Sequence, residues 1–200
     1  MSRVCFHSDD SYIPVTSREF AFVTAGIALD GIKSEMRIHL EKAENRSRKG
    51  ARDWHSTKDP SIRARYIEEL LDMSPLVGRV FYGAAGAVPN TSFWRIRVDV
   101  LAAAIRRYSG GGRCHHEMAH EGLTSKPRQQ LRGDLKDRGF KRVTVEPASV
   151  TTDPETRCVD ALAGFIRSKL FDGGGSSSVL PELPDWLVEV IPVQTKALRR

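Results

Sequence analysis

Glycines at 110, 111, 112 and 122 bracket a short segment whose secondary structure decides which chemistry the chain can host. From Cys114 it reads Cys-His-His-Glu-Met-Ala-His-Glu, then Gly122-Leu123-Thr124. On a helix, His116 and His120 of the formal H-E-x-x-H would have Cβ atoms roughly 6 Å apart. Both imidazoles would then reach one zinc ion, with Glu117 as general base. On a strand the two histidines are separated by roughly 13 Å, too far for one ion. The glycines leave a window too short for the long buried helix of a zinc peptidase. Leu123 holds the place where the three-histidine form of that motif needs glycine, and neither Glu146 nor Glu155 sits in a zinc-ligand context. The segment therefore reads as a strand ending in Glu121, and a zinc metallopeptidase is the minor alternative.

The flanking elements alternate. Arg3 to Asp9 has the β pattern, with Asp10-Ser11-Tyr12 and Pro14 breaking it. Phe20 to Leu29 is a nearly continuous apolar run, the mark of a strand buried on both faces. Ile32, Met36, Leu40 and Ala43 form one helical stripe, and Ile62, Tyr66 and Leu70 another, the second opened by the Asp59-Pro60 cap. Val77 to Gly83 reads as a short strand. Ser92 is expected to cap a helix through Tyr108. Ser125 and Pro127 open a helix closed by Gly139, Arg142 to Val145 is a strand, and Asp153-Pro154 opens a last helix with Val159, Leu162, Ile166 and Leu170 on its apolar face.

With the early helix pair set aside, the order is strand, strand, strand, helix, strand, helix, strand, helix. That is the ribonuclease-H-like order, an α/β fold with helices flanking a mixed sheet and a helical insertion after the second strand. Asp9 closes the first strand, Glu121 closes the strand after the glycines, and Asp160 lies in the closing helix. Carboxylates drawn together from separate elements suit Mg²⁺ or Mn²⁺, hard cations that assist phosphodiester hydrolysis. Ala163 and Gly164, one turn beyond Asp160, are expected to leave room for a ligand beside it.

The chain also resembles a large family of uncharacterised, ribonuclease-H-like bacterial and phage proteins. Asp9-Asp10-Ser11 matches the family's D-E-S opening, Glu121-Gly122-Leu123-Thr124 its D-G-L-T, and Val159-Asp160-Ala161-Leu162-Ala163-Gly164-Phe165-Ile166-Arg167 its closing helix motif. The likeness spans roughly residues 3 to 171. It implies a metal-binding set of Asp9, Glu121 and Asp160, with Asp10 as a further member, although Asp10 and Glu121 exchange the family's Glu and Asp. Asp53-Trp54-His55 is a loose match to an acidic residue beside a Trp or His, which makes Asp53 and His55 accessory candidates. Lys58 and Arg167 are candidates for steadying a substrate.

The 200 residues suit one domain over 1–172, a Gly/Ser linker over 173–178 and an extension over 179–200 that offers a docking element for a protein partner. The net charge of +6, bunched at Arg46 to Arg52, Lys136 to Arg142 and Lys196 to Arg200, fits nucleic acid, RNA or DNA, as partner as well as it fits solvated surface. No apolar run approaches a membrane span. Cys5, Cys114 and Cys158 read as reduced thiols of a cytoplasmic protein. The expected activity is metal-dependent cleavage of nucleic acid; the alternative is a non-catalytic nucleic-acid or protein-binding module of the same fold.

Overall fold

The computed structural model describes residues 3–109, 114–171 and 180–195. Strands β1 (Arg3–Pro14) and β2 (Phe20–Ala28) form an antiparallel hairpin, and β3 (Val80–Val88) adds antiparallel to β2. On the other side of β1, β4 (His115–Glu121) and then β5 (Val143–Ala148) pair in parallel. Strand β6 (Val188–Thr195) lies parallel to β3, so the six-stranded sheet runs β5-β4-β1-β2-β3-β6. Helices α1 (Lys33–Arg46) and α2 (Pro60–Leu71) fill the β2–β3 connection, and α3 (Phe93–Tyr108), α4 (Ser125–Asp137) and α5 (Pro154–Phe171) follow β3, β4 and β5. Three antiparallel strands extended by two parallel ones, with helices on both faces, make this a ribonuclease-H-like α/β fold.

Alternation along the strands divides the core in two. Val23, Ala25, Ile27, Val80 and Tyr82 pack with α1, α2 and α5, whereas Val4, Phe6, Phe81, Met118 and Val143 pack with α3 and α4. Helix α5 is encased: every residue from Pro154 to Ile166 is buried. Each large apolar side chain so covered contributes about 1.5–3 kcal/mol. Among the described residues no helix is long and apolar enough to cross a membrane.

Several boundaries differ from the sequence reading. β1 continues through Asp10, Ser11 and Tyr12 to Pro14, because β2 pairs with it along that whole length; Pro14, lacking an N–H, sits at the strand's last position. β3 starts at Val80 rather than Val77, since Gly78 takes a positive φ of 70° in the preceding turn. Ser92 makes no capping bond and instead ends a 3-10 turn over Asn90–Ser92 that leads into α3. Asp59 does cap α2, accepting the Ser61 N–H at 2.8 Å. The 173–178 linker lies outside the described residues. Beyond it, Leu180, Leu183, Trp186 and Leu187 pack against the core that holds α5, and β6 joins the sheet.

Candidate active site

The segment His115–Glu121 is a strand. His116 and His120 therefore point to the same face but lie far apart along it, and each has its own partner. His116 Nε2 is 2.7 Å from Ser109 Oγ, and His120 Nδ1 is 2.8 Å from Ser8 Oγ. The zinc-peptidase arrangement is thereby excluded: it needs one helical turn between the histidines, and here the backbone is extended.

Strand register brings the next residue into play. Ser8 pairs with His120, so at the next step Asp9, midway along β1, stands beside Glu121, the last residue of the parallel strand β4. Gly122, at a φ of 71°, then turns the backbone away. Asp9 and Glu121 share the sheet face that carries α5 and, on it, Asp160.

The electrostatics of these acids are linked. Burial raises the Asp9 pKa well above the carboxylate range, and the charges of Asp10, Asp160 and Glu121 push it further. Burial lifts Glu121 to about 7, with Asp160, Asp53 and Asp153 adding to the rise. The Val150 N–H, 3.4 Å from Glu121 Oε1, opposes that rise, while Oε2 is buried without a partner. Asp160 is raised by burial and by Asp53, against the pull of the Trp54 N–H, His55 and Lys49.

The loop between α1 and α2 supplies the rest of the wall. Trp54 N–H donates to Asp160 Oδ2 at 2.8 Å, and His55 Nε2 lies 3.5 Å from Oδ1. Asp53 itself holds a turn, accepting the Ser56 N–H, which lowers its pKa. The space expected beside Ala163 and Gly164 is taken: the Trp54 indole packs on Gly164, whose missing Cβ would stand 2.5 Å from Nε1. Under this loop, buried Glu44 receives Arg157 at 2.6 and 2.9 Å and Lys49 at 3.4 Å, and the Lys49 ammonium stacks 4.6 Å from the Tyr66 ring centre.

Asp10 lies on the opposite face of the sheet from Asp9, as adjacent strand residues must. Arg97 Nε donates to its Oδ2 at 2.7 Å, Thr24 Oγ1 to its Oδ1 at 2.7 Å, and His120 Nε2 is 3.4 Å away. Burial works to raise Asp10, but His120 and Arg97 outweigh it and hold the carboxyl at about 2. Asp10 is thus an ion-paired partner of α3 and is separated by the sheet from the other three acids. Arg167 donates to Ser11 Oγ and the Tyr12 carbonyl, tying α5 to the far end of β1, and Lys58 is exposed. Asp99, on α3, accepts from Arg138 at 2.5 Å. His7, buried beneath α5, lies 3.4 Å from Thr156 Oγ1, and burial drops its pKa to about 4.

The donor set fits a hard divalent cation in kind: carboxylate oxygens, one of them orphaned, in mutual repulsion. Among the described residues no three His, Cys, Asp or Glu side chains are drawn together closely enough to hold one ion. The roles of Trp54, Val150 and Arg97 were not legible in the sequence; only the Asp-Trp-His triplet hinted at the first.

These features define an α/β protein of ribonuclease-H-like architecture with acidic residues from mid-β1, the end of β4 and α5 on one face of the sheet. No family model matches the chain, and no curated protein does. Solved structures similar to it include ribonuclease HIII (Bst-RNase HIII) in complex with Mn²⁺, at 10% identity and a TM-score of 0.49, covering 84% of this chain and 53% of that one. Ribonuclease H2 from Pyrococcus horikoshii matches at 13% identity and a TM-score of 0.46, covering 90% and 82%. Ribonuclease HII from Archaeoglobus fulgidus, in a complex with PCNA, matches at 14% and 0.49, covering 90% and 83%. The chain thus spans about half the length of the ribonuclease HIII chain. At such values the strand order, not the likeness, carries the fold assignment.

Proposed function

We propose that the chain is a divalent-metal-dependent nuclease that hydrolyses phosphodiester bonds in RNA or DNA in the cytoplasm. One observation carries this reading: Asp9, Glu121 and Asp160 come from three separate elements, face one side of the sheet, and oppose one another's ionisation. A cluster of that kind attracts a cation, and these three residues, which stand too far apart here to share one ion, would have to close on Mg²⁺ or Mn²⁺ to hold it. When bound, the ion supplies Lewis acidity toward a phosphoryl oxygen and charge neutralisation.

The chain's own groups do the rest. Trp54 N–H fixes one oxygen of Asp160, and Val150 N–H fixes one of Glu121. Glu121, poised near neutrality, can take up or release a proton at working pH. Exposed His55 stands over Asp160, its Nε2 3.5 Å from Oδ1, at the solvent side of the site. Lys58 and Arg167 steady the substrate. Asp10 serves by anchoring α3 through Arg97. A protein partner would dock along the outer edge of β6.

The test is cleavage of labelled RNA, DNA and RNA–DNA hybrid with Mg²⁺ or Mn²⁺ against an EDTA control. Asp9→Asn and Asp160→Asn should abolish cleavage and leave the circular dichroism unchanged. Binding without cleavage under every condition would sink the nuclease reading and leave the non-catalytic module of the same fold.

A further inference from the structure

The face of α4 turned toward β5 borders a cleft away from the acidic residues. Ser125, Arg128, Gln129 and Arg132 line a cleft of about 200 Å³ whose other wall is Thr144, Val145 and Glu146 of β5. Residues 125, 128, 129 and 132 recur at helical spacing, so they make a single ridge, which flanks the buried stripe of Leu131 and Leu135. β5 is the last strand on this side of the sheet, which leaves the cleft open along its length.

Toward its other end, where the helix meets α3, two side chains are matched. Asp134 accepts the Trp94 indole N–H at 2.6 Å, and Arg138 pairs with Asp99. The two cleft arginines differ. Neither guanidinium takes a hydrogen-bond or ion-pair partner among the described residues, and Arg128 Nε is buried without an acceptor. A buried, unpaired guanidinium N–H costs free energy that an external acceptor recovers. Two arginines four residues apart have Cβ atoms roughly 6 Å from each other, so their long side chains can reach successive phosphates rather than converge on one compact anion. The Ser125 end of the ridge begins four residues after Glu121, so a strand lying in the cleft is led toward the acidic cluster.

We propose that the α4–β5 cleft binds the phosphodiester backbone of the nucleic-acid strand served by the acidic cluster, with Arg128 and Arg132 on successive phosphates. This rests on the nucleic-acid reading given above. Glu146, on the opposite wall, repels that backbone and keeps it against the helix.

The experiment is equilibrium binding of a fluorescein-labelled 20-nucleotide RNA–DNA hybrid and of its single strands, in EDTA so that cleavage plays no part, across a salt series. Arg128→Ala/Arg132→Ala should weaken binding on the order of tenfold near 0.1 M salt and flatten the slope of log K against log salt by roughly 1.4 to 1.8, the loss of two phosphate contacts. Glu146→Gln should tighten binding. Arg18→Ala/Arg65→Ala, two exposed arginines elsewhere, should leave the slope nearly unchanged. An unaltered slope in the cleft variant, equal losses in both double variants, or no binding by the wild type each overturns the proposal. Loss of cleavage in Asp9→Asn with the salt slope intact bears on the nuclease reading alone.

Discussion

Trp54 and Gly164 interlock: the indole lies where a Cβ at 164 would stand, 2.5 Å from Nε1, while one turn earlier Asp160 receives the Trp54 backbone N–H. The same contact seats the loop and orients the carboxylate. Gly164→Ala should therefore unseat the indole and destabilise the protein by about 1–3 kcal/mol, as overpacking of a filled site does. Urea denaturation measures it. An unchanged midpoint would mean the indole has another place to go.

Asp10 depends on His120 and Arg97 for its charge. Arg97→Met leaves a carboxylate between sheet and α3 with only Thr24 and His120 beside it, a loss of about 3–5 kcal/mol. Adding Asp10→Asn in that background should recover much of the loss, since the uncompensated charge is then gone. A double variant as unstable as the single would show that Arg97 acts through packing alone.

Asp9 trades stability for its position. Its folded pKa lies above the unfolded value, so it contributes stability below the ordinary carboxylate range and loses it as pH rises through the raised value. Asp9→Asn should melt at a higher temperature than the wild type at pH 8 in EDTA and show no such gain at pH 4. Excess Mn²⁺ should raise the wild-type melting temperature and leave the variant's nearly unmoved. A variant less stable at pH 8 would argue against the crowding of charge.

Glu121 and His7 should tilt the pH profile in opposite directions. Glu121, raised to about 7, contributes stability that is complete below about 4.5 and lost as pH climbs through 7. His7, lowered to about 4, contributes stability that is complete above about 6.5 and lost as pH falls through 4. Between pH 5 and 7.5, in EDTA, melting temperature should therefore rise more steeply with pH in Glu121→Gln than in the wild type, and less steeply in His7→Gln. Parallel profiles for all three proteins would contradict both assignments.

Most of the architecture could be read from hydrophobic periodicity, because each strand and helix commits its pattern locally. The apolar run of β2 and the stripe of Met36, Leu40 and Ala43 gave their elements directly. The length of β1 could not be read, since its polar second half is held by pairing with β2 rather than by its own propensity. Likewise, Trp54 reaches Asp160 across 106 residues, a contact that no local pattern announces. Asp9 and Asp10 look equivalent in the sequence; only the pleat shows that they serve opposite faces. β6 was hidden for a related reason: three prolines in the C-terminal stretch obscure a strand that only β3 completes.

That last strand has a consequence for biosynthesis. β3 is finished by Val88, yet its neighbour on one side begins at Val188, so the nascent chain carries an open, apolar edge for as long as the ribosome needs to make the residues between. Such an edge is a template for another chain. The C-terminal segment thus acts as the cover of an inner strand, and a chain stopped short of it would be released with the buried strand β3 as an open border.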